Sequence, residues 1–273
     1  MPYASINNIK LYYEVHGSGP PVIFAHGSGG NHLSWWQQIP YFAQFYTCVT
    51  YDHRSFGKSE DETPPQGRAA FAEDLKGLIR HLDLPKVAII AHSMGGRSGS
   101  MFALRNPGQV AALILSGSNG GSDSTEARKV REAHKSYPPF HPKGALRALS
   151  PRYTETEQEK AFLYRQIMRS NPPHKKDFLE VPRNLIGRST HDKFNELSIP
   201  TLFLTGEEDI LVHPETIKIA AELIPHSEFI SIKGAGHSTY YEKPDVFNRL
   251  VRNFLTKHRW DASSTVYHDF LKL

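Results

Sequence analysis

The sequence predicts an α/β fold built on a doubly wound, mostly parallel sheet. Short apolar runs alternate with segments of helical periodicity, which is typical of βαβ units. From the second run onward the apolar residues are nearly continuous, as expected for strands that helices cover on both faces. The candidate strands are residues 10–15, 21–25, 46–51, 86–91, 111–116, 200–205 and 228–232.

Three of the intervening segments each place four apolar residues on one face of a helix. The last of them follows Pro244, which suits a first helical turn. Such faces indicate packing against the sheet and carry no functional information. The residues are Phe71, Leu75, Leu78 and Leu82; Ile217, Ala220, Ala221 and Ile224; and Phe247, Leu250, Val251 and Phe254.

The alternation stops between residues 120 and 197, where prolines interrupt a polar stretch. Helical segments are predicted near 124–136 and 155–170, so an inserted helical cap fits this stretch better than a further βα unit. Residues 1–119 and 198–258 then form the core that contains the sheet. Residues 259–273 form a C-terminal tail, and its apolar residues suggest that it docks: Trp260, Val266, Tyr267 and Phe270.

The composition is that of a globular protein with one large core. The 273 residues are 39% hydrophobic and 22% charged, and 32 Lys and Arg against 28 Asp and Glu give a net charge of +4. Because no basic block is present, we expect no nucleic-acid partner. Cys48 is the only cysteine. It excludes an intramolecular disulfide, and its apolar neighbours predict a small buried side chain.

The N-terminal residues lack the basic segment and long apolar run of a secretory signal. No stretch reaches the roughly 20 apolar residues that a membrane-spanning helix needs. We therefore expect a cytoplasmic protein without a membrane partner. The oligomeric state stays open.

The densest chemical signal is a serine at the end of the fourth predicted strand. Ser93 follows residues 86–91 in a tight turn, and a helix begins at Met94. This strand–turn–helix context exposes a nucleophilic serine. Ala91 and Gly95 stand two positions before and after it, and their small size lets neighbouring backbone pass close by. The alternative is a serine that merely caps the helix.

A glycine-rich loop, residues 26–30, follows the second predicted strand. Glycines there allow a backbone N–H to turn inward instead of continuing the ladder. Such a loop and the residue after the nucleophile together form an oxyanion hole, so we assign the N–H groups of Ser28 and Met94 to it. The alternative is an ordinary turn or a phosphate cradle. Both the dinucleotide fingerprint and the P-loop are missing, which argues against a phosphate cradle. No cofactor and no metal are expected.

A serine hydroxyl needs a base to take its proton. His237 is the candidate among 15 histidines, because it lies in a glycine-containing loop just after the last strand. Loops at the carboxyl ends of parallel strands are where such sheets gather their functional groups. His26 is expected to support the glycine-rich loop, and His92 to point away from the direction of its neighbour Ser93.

The base in turn needs an acid that fixes its tautomer. Three acids follow the sixth predicted strand, and Asp209, with apolar residues 210–212 behind it, is the candidate. Glu207 and Glu208 are expected to be solvated. The chain order is then serine, aspartate, histidine, which differs from the order in chymotrypsin and subtilisin types.

Together these motifs resemble the α/β-hydrolase superfamily over nearly the whole chain except the cap and tail. Residues 51–59 resemble the family's Asp-x-Arg-Gly-x-Gly-x-Ser loop, in which Ser55 replaces the usual glycine. Ala91 likewise replaces a glycine of the serine motif. Residues 206–209 resemble its Gly-x-x-Asp acid loop, and Gly236 with His237 its terminal Gly-His. The resemblance implies a serine, aspartate and histidine triad made of Ser93, Asp209 and His237.

The resemblance also implies a small-molecule, ester-like substrate. Hydrolysis of a carboxylic ester or lactone through an acyl-enzyme is expected. The alternative is a C–C bond hydrolase or lyase on the same triad, and a ligand receptor with a vestigial triad is the third possibility. Epoxide hydrolases and haloalkane dehalogenases carry aspartate as nucleophile, so Ser93 argues against both.

Several large side chains either line a substrate pocket or form the cap's own core. The sequence does not separate these two roles. The residues are Trp35, Trp36, Tyr137, Phe140, Tyr153, Phe162, Tyr164, Met168, Tyr240 and Tyr241.

Overall fold

The computed structural model describes residues 2–61, 70–134, 142–173 and 190–261. These residues contain an eight-stranded sheet of order β1-β2-β4-β3-β5-β6-β7-β8. β1 and β2 pair antiparallel, as do β2 and β4, and all other pairs are parallel. The strands are β1 (Tyr3–Ile6), β2 (Ile9–His16), β3 (Pro21–Ala25), β4 (Thr47–Tyr51), β5 (Val87–His92), β6 (Val110–Ser116), β7 (Thr201–Gly206) and β8 (Glu228–Ile232).

Helices occupy the crossovers between these strands and continue beyond the last one. Their bounds are α1 (Ile39–Phe42), α2 (Phe71–His81), α3 (Met94–Arg105), α4 (Thr125–Ala133), α5 (Pro151–Thr156), α6 (Gln158–Arg169), α7 (Thr190–Lys193), α8 (Pro214–Ala221), α9 (Thr239–Glu242) and α10 (Pro244–Lys257).

The predicted doubly wound, mostly parallel sheet is confirmed, and each of the seven predicted strands lies within one residue of an observed one. β1 was missed. It has four residues that alternate between exposed and buried, too few for periodicity to stand out. The signal that could have found it is the pair Asn7 and Asn8, which take positive φ angles of 45° and 60° and turn the chain into β2. Such angles at both central residues are typical of a two-residue hairpin.

Alternate side chains of each central strand enter cores on opposite faces of the sheet. On one face Ile23 and Ile89 pack with residues of α2, α3 and α8. On the other face Phe24 and Ile90 pack with residues of α1 and α10. The three predicted apolar faces belong to α2, α8 and α10, and they bury completely side chains such as Leu75, Ile217 and Val251. Strands covered on both faces explain the continuous apolar runs of the sequence.

The chain between β6 and β7 leaves the sheet and forms α4 to α7 among its described residues. α4 lies in the predicted helical stretch 124–136 and α6 in the stretch 155–170, whereas α5 begins at Pro151, before the second stretch. The amide of Asn31, in the loop after β3, donates to the Ile167 carbonyl at 3.2 Å and to the Ser170 hydroxyl at 2.9 Å. These bonds hold the end of α6 against the carboxyl edge of the sheet.

After α10 the chain docks at the amino-terminal end of β3. Trp260 is buried, and its indole N–H donates to the Pro21 carbonyl at 3.1 Å. Val266, Tyr267 and Phe270 lie outside the described residues. The predicted burial of Cys48 is confirmed. Among the described helices, none is both long and apolar enough to cross a membrane.

Candidate active site

Ser93 occupies a strained turn between β5 and α3. Its φ and ψ of 50° and −113° lie in a region that L-residues rarely adopt, at a cost of order 1–3 kcal/mol. The surroundings fix this conformation from both sides. The Ser93 N–H donates to the Ser116 carbonyl at 2.9 Å, and its own carbonyl accepts from the Ser118 hydroxyl at 2.8 Å. Strain held in this way keeps the hydroxyl at the end of the strand instead of in the helix.

The turn at Ser93 is crowded, as its small neighbours predict. A Cβ added at Gly95 would lie 2.4 Å from the Ala25 carbonyl oxygen and 2.6 Å from that of His26. Ala25 pairs with Ala91 in the parallel ladder between β3 and β5, which brings the loop after β3 to the serine turn. Glycine at position 95 is therefore a steric requirement, and Ala91 is accommodated fully buried.

His237 and Asp209 form a buried pair at the carboxyl ends of β8 and β7. The His237 Nδ1 atom lies 2.8 Å from the Asp209 Oδ2 atom. The other carboxylate oxygen accepts the N–H groups of Leu211 and Val212, each at 2.9 Å. A carboxylate accepts only, so Nδ1 carries the proton and Nε2 keeps its lone pair. The aspartate thus sets the tautomer that a general base needs.

The other two acids of this loop have exposed side chains, as expected. Glu207 and Glu208 use their backbone N–H groups, which donate to Ile232 at 3.0 Å and Ala235 at 2.9 Å. These bonds tie the acid loop to the loop that carries His237. Asp209 is the acid of the three that is buried.

His26 supports the glycine-rich loop, as expected. Its ring Nδ1 lies 2.8 Å from the Gly27 carbonyl, and its Nε2 accepts the N–H of His53 at 2.9 Å. Burial lowers the pKa of His26 to about 4, so the ring is neutral at physiological pH. A neutral ring with one donor and one acceptor satisfies both bonds.

His92, which we expected to point away from the direction of Ser93, lies beside the base. Its ring packs against that of His237, with 4.7 Å between centroids, and it lines the same cavity. Burial holds its pKa well below the ordinary range. Its Nδ1 lies 3.0 Å from the Ser116 carbonyl and so carries the ring proton. The neutral ring of His92 thus lies beside the base and adds no charge to the site.

Ser93 and His237 both line a cavity of about 470 Å³, together with Ser28. This volume is typical of small-molecule sites. Within the described residues the Ser93 hydroxyl forms no hydrogen bond with the His237 ring. Catalytic hydrogen bonds are often long without substrate and shorten when it binds. The structure therefore brings all three predicted residues to one place, with the acid–base bond formed and the serine free.

The two predicted oxyanion donors flank this serine. A Cβ added at Gly27 would lie 3.1 Å from the Cβ of Ser93, so the glycine-rich loop touches the nucleophile. Met94 begins α3, where the first N–H groups have no partner within the helix. Across the described ranges, neither the Ser28 nor the Met94 N–H donates to a protein acceptor. Both donors are free for a ligand oxygen.

The large side chains divide between core, cavity wall and surface. Trp35 is fully buried in the core, whereas Trp36 and Phe162 are exposed at 39% and 56%. Tyr153 is buried without lining the cavity. Tyr137 and Phe140 lie outside the described residues. The residues that do line the cavity are Tyr164, Met168, Tyr240 and Tyr241.

Two residues that sequence reasoning missed hold the loops of the site. Asn171 donates to the Gly29 carbonyl at 2.6 Å and accepts from the Gly57 N–H at 2.8 Å. It therefore joins the end of α6 to the glycine-rich loop and to the loop 51–59. Glu242 accepts from the N–H groups of Gly236 and Ser150, each at 2.9 Å.

A metal centre finds no support in the described part of the chain. No group of three or more His, Cys, Asp or Glu side chains lies there in an arrangement that could hold a metal ion.

The family model for the alpha/beta hydrolase fold matches residues 20–244. The chain belongs to this family. It is similar to a thermophilic esterase of known structure from Thermogutta terrifontis, with 28% identity, a TM-score of 0.76 and coverage of 94% of this chain and 97% of that one. These likenesses establish an α/β hydrolase and leave its substrate class open.

Two curated relatives are named for reactions other than ester hydrolysis. One is the 2-hydroxy-6-oxononadienedioate/2-hydroxy-6-oxononatrienedioate hydrolase 1 of Dechloromonas aromatica, 29% identical over 267 residues and covering 91% of each chain. The other is a protein of Azorhizobium caulinodans provisionally named carbamate hydrolase RutD, 25% identical over 264 residues, with coverage of 93% of this chain and 98% of that protein.

Proposed function

We propose that this α/β hydrolase is a serine hydrolase that cleaves a carboxylic ester or lactone through an acyl-enzyme intermediate. The observation that carries the proposal is the buried bond between His237 and Asp209 in a cavity that also contains the strained Ser93. The likeness to an esterase of known structure agrees with it. Ser93 is the nucleophile in this proposal, His237 the base and Asp209 the acid that orients it.

The geometry supports a two-stage reaction. His237 Nε2 takes the Ser93 proton as the serine oxygen attacks the substrate carbonyl carbon. The carbonyl oxygen becomes an oxyanion, which the N–H groups of Ser28 and Met94 stabilise. Collapse breaks the ester bond, and the leaving alkoxide takes the proton from the imidazolium. Water then gives a proton to His237 and attacks the acyl carbon, which releases the acid and returns the proton to Ser93.

We further assign residues 120–197 as a cap over a core of residues 1–119 and 198–258. Tyr164, Ile167 and Met168, all on α6, line the cavity from one side, whereas Ser93 and His237 line it from the sheet. Such a cap shapes the pocket around the substrate. Residues 259–273 are a tail in this division, and a cytoplasmic location remains the expectation.

The test is turnover of p-nitrophenyl esters of graded acyl length, run beside lactones. Ser93→Ala should lower kcat by at least about a thousandfold while leaving the fold intact. Ser100→Ala is the matched control, because Ser100 is a buried serine of α3 that does not line the cavity. Wild-type-like turnover in Ser93→Ala would refute the assignment of the nucleophile.

C–C bond hydrolysis is the second candidate, because the relative from Dechloromonas aromatica is named a hydrolase of 2-hydroxy-6-oxo dioates. The same base could move protons during cleavage of such a dienone. A comparison of kcat/KM for 2-hydroxy-6-oxo dienedioates and for aryl esters separates the two reactions. A large excess for the dienedioate would replace the ester proposal by this one.

A further inference from the structure

The charge of the cavity wall is asymmetric. Arg147 lines the cavity and is exposed to solvent. Among the described residues that line the cavity, none is Asp or Glu, and Arg147 is the one with a permanent positive charge. The rest of the wall is formed by small, hydroxyl-bearing, aromatic, imidazole and aliphatic side chains. An anion that enters the cavity therefore meets a positive side chain and no lining carboxylate.

The guanidinium of Arg147 has no protein partner within the described ranges. The nearby acids are occupied elsewhere. Asp209 accepts from His237 and from two backbone N–H groups. Glu242 lies buried and accepts from the N–H groups of Ser150 and Gly236. The donors of Arg147 are thus available to a ligand.

The backbone that carries Arg147 is fastened to the loop that carries His237. The Ala148 carbonyl accepts the N–H of Ser238, the residue after His237, at 3.0 Å. Two residues further along, the Ser150 N–H donates to the Glu242 carboxylate at 2.9 Å. Arg147 therefore projects from a segment whose position relative to the base is fixed.

Apolar and aromatic side chains line the same cavity as the arginine and the reacting centre. Ile167, Met168 and Leu211 contribute aliphatic surface, and Tyr240 and Tyr241 contribute rings. Such a wall favours an uncharged body in the substrate. The planar guanidinium matches a carboxylate, with which it can form two parallel hydrogen bonds.

We propose that Arg147 is a specificity-determining residue, and that the substrate is an ester or lactone with an apolar body and one carboxylate. This inference rests on the proposed function, because it names the substrate class of that same site. The carboxylate belongs to the part of the substrate that points to solvent, and the reacting carbonyl lies at Ser93.

The test compares two esters of equal shape and different charge. p-Nitrophenyl glutarate ends in a carboxylate, and p-nitrophenyl 5-methylhexanoate carries an isopropyl group in the same place. We expect wild type to prefer the glutarate in kcat/KM, and Arg147→Gln to reduce that preference about tenfold. Most of the loss should appear in KM, and Arg147→Lys should restore part of the preference. Added salt should weaken the preference of the wild type.

Arg152→Gln is the matched control. Arg152 is an exposed arginine of α5 in the same part of the chain, and it does not line the cavity. Its removal lowers the net charge equally, so it should leave the ratio between the two esters unchanged. Calorimetric titration of both esters into Ser93→Ala, with and without Arg147→Gln, measures the same preference without turnover.

The outcomes separate the two proposals. If both esters are hydrolysed and the ratio is the same in wild type and Arg147→Gln, the selectivity inference is wrong and the serine hydrolase remains. If neither ester is hydrolysed by the wild type, the proposed function fails, and the binding ratio alone then supports or overturns the role of Arg147. A glutarate preference that Arg152→Gln abolishes equally would also overturn it, since net charge would then be the cause.

Discussion

The carboxylate of Glu242 accepts the backbone N–H of Gly236, the residue before His237, at 2.9 Å. Its second oxygen accepts the N–H of Ser150 at the same distance, so one buried side chain joins the histidine loop to the segment between β6 and β7. The approach is close. A Cβ added at Gly236 would lie 2.7 Å from the nitrogen of Ser150. Glycine at position 236 is what allows the two segments to share this acid.

Glu242 should make the stability of the protein depend on pH. Burial raises the pKa of Glu242 from the usual 4.5 to about 7. Between these two pH values the folded protein holds a proton that the unfolded chain has lost. The free energy of unfolding therefore falls as pH rises through this range, and it no longer changes above the folded pKa. Glu242→Gln removes this titration. From about pH 5 to about pH 8, the free energy of unfolding of wild type should fall by roughly 2–3 kcal/mol relative to that of the variant.

Urea unfolding of both proteins across this pH range measures the difference. Glu222→Gln is the control, because the Glu222 side chain is 64% exposed and its removal should not change the pH profile. At the low end of the range the Glu242→Gln variant should also be less stable than wild type. Its side-chain amide has one acceptor oxygen, whereas the N–H groups of Gly236 and Ser150 each need one. Parallel profiles for wild type and Glu242→Gln would contradict the raised pKa.

Asp209→Asn should lower kcat by about two to four orders of magnitude with little change in stability. The amide oxygen can still accept the N–H groups of Leu211 and Val212. Its amide nitrogen then faces the His237 Nδ1 atom and favours the wrong tautomer of the ring. Steady-state kinetics on a p-nitrophenyl ester and a thermal melt give the two readouts. Glu208→Gln, at an exposed neighbour, should match wild type; if it loses the activity instead, the acid has been misassigned.

The sheet and the motif loops were predictable because their causes are local. Continuous apolar runs specify buried strands, and glycine at position 95 permits the close approach of backbone that the serine motif already implies. Each required only a short window of sequence. The same holds for the choice of Asp209, which an apolar stretch follows directly.

Contacts between distant parts of the chain were not predictable in this way. Asn171 bonds with Gly29 across 142 positions, and Glu242 bonds with Ser150 across 92. Nothing near either residue in the sequence marks it as structural. The contact of His92 with His237 was not predictable for a related reason, since the His92 ring is oriented by the Ser116 carbonyl of the neighbouring strand. Such roles need the tertiary fold, because they are defined by the partner.

Gly95→Ala should destabilise the protein by about 1–3 kcal/mol and lower kcat. The new methyl would lie 2.4 Å from the Ala25 carbonyl oxygen, and backbone on both sides would have to shift. Gly108→Ala is the matched control, because a Cβ at Gly108 meets nothing within 4 Å. Its stability should stay within about 0.5 kcal/mol of wild type. Thermal unfolding of both variants tests the pair, and equal stabilities would show that the turn at Ser93 has room to relax.

Asn171→Ala should reduce kcat roughly tenfold and change KM little, because Asn171 is a positioning residue for the oxyanion loop. It holds the Gly29 carbonyl at 2.6 Å, one residue from the Ser28 N–H that we assign to the oxyanion. Looser placement of that N–H weakens an interaction that strengthens in the transition state, which appears in kcat. Asn106→Ala is the control, because the Asn106 amide caps α3 through the Phe102 carbonyl and does not line the cavity.

The kcat and KM of both asparagine variants, measured beside their melting temperatures, separate positioning from general loss of structure. A loss of stability in Asn106→Ala with unchanged kcat, beside a lower kcat in Asn171→Ala at similar stability, is the expected pattern. If Asn171→Ala instead changes KM alone, the residue acts on substrate binding and not on the oxyanion loop. If both constants stay at wild-type values, the loop is held sufficiently by the turn from the Gly27 carbonyl to the Gly30 N–H, at 3.0 Å.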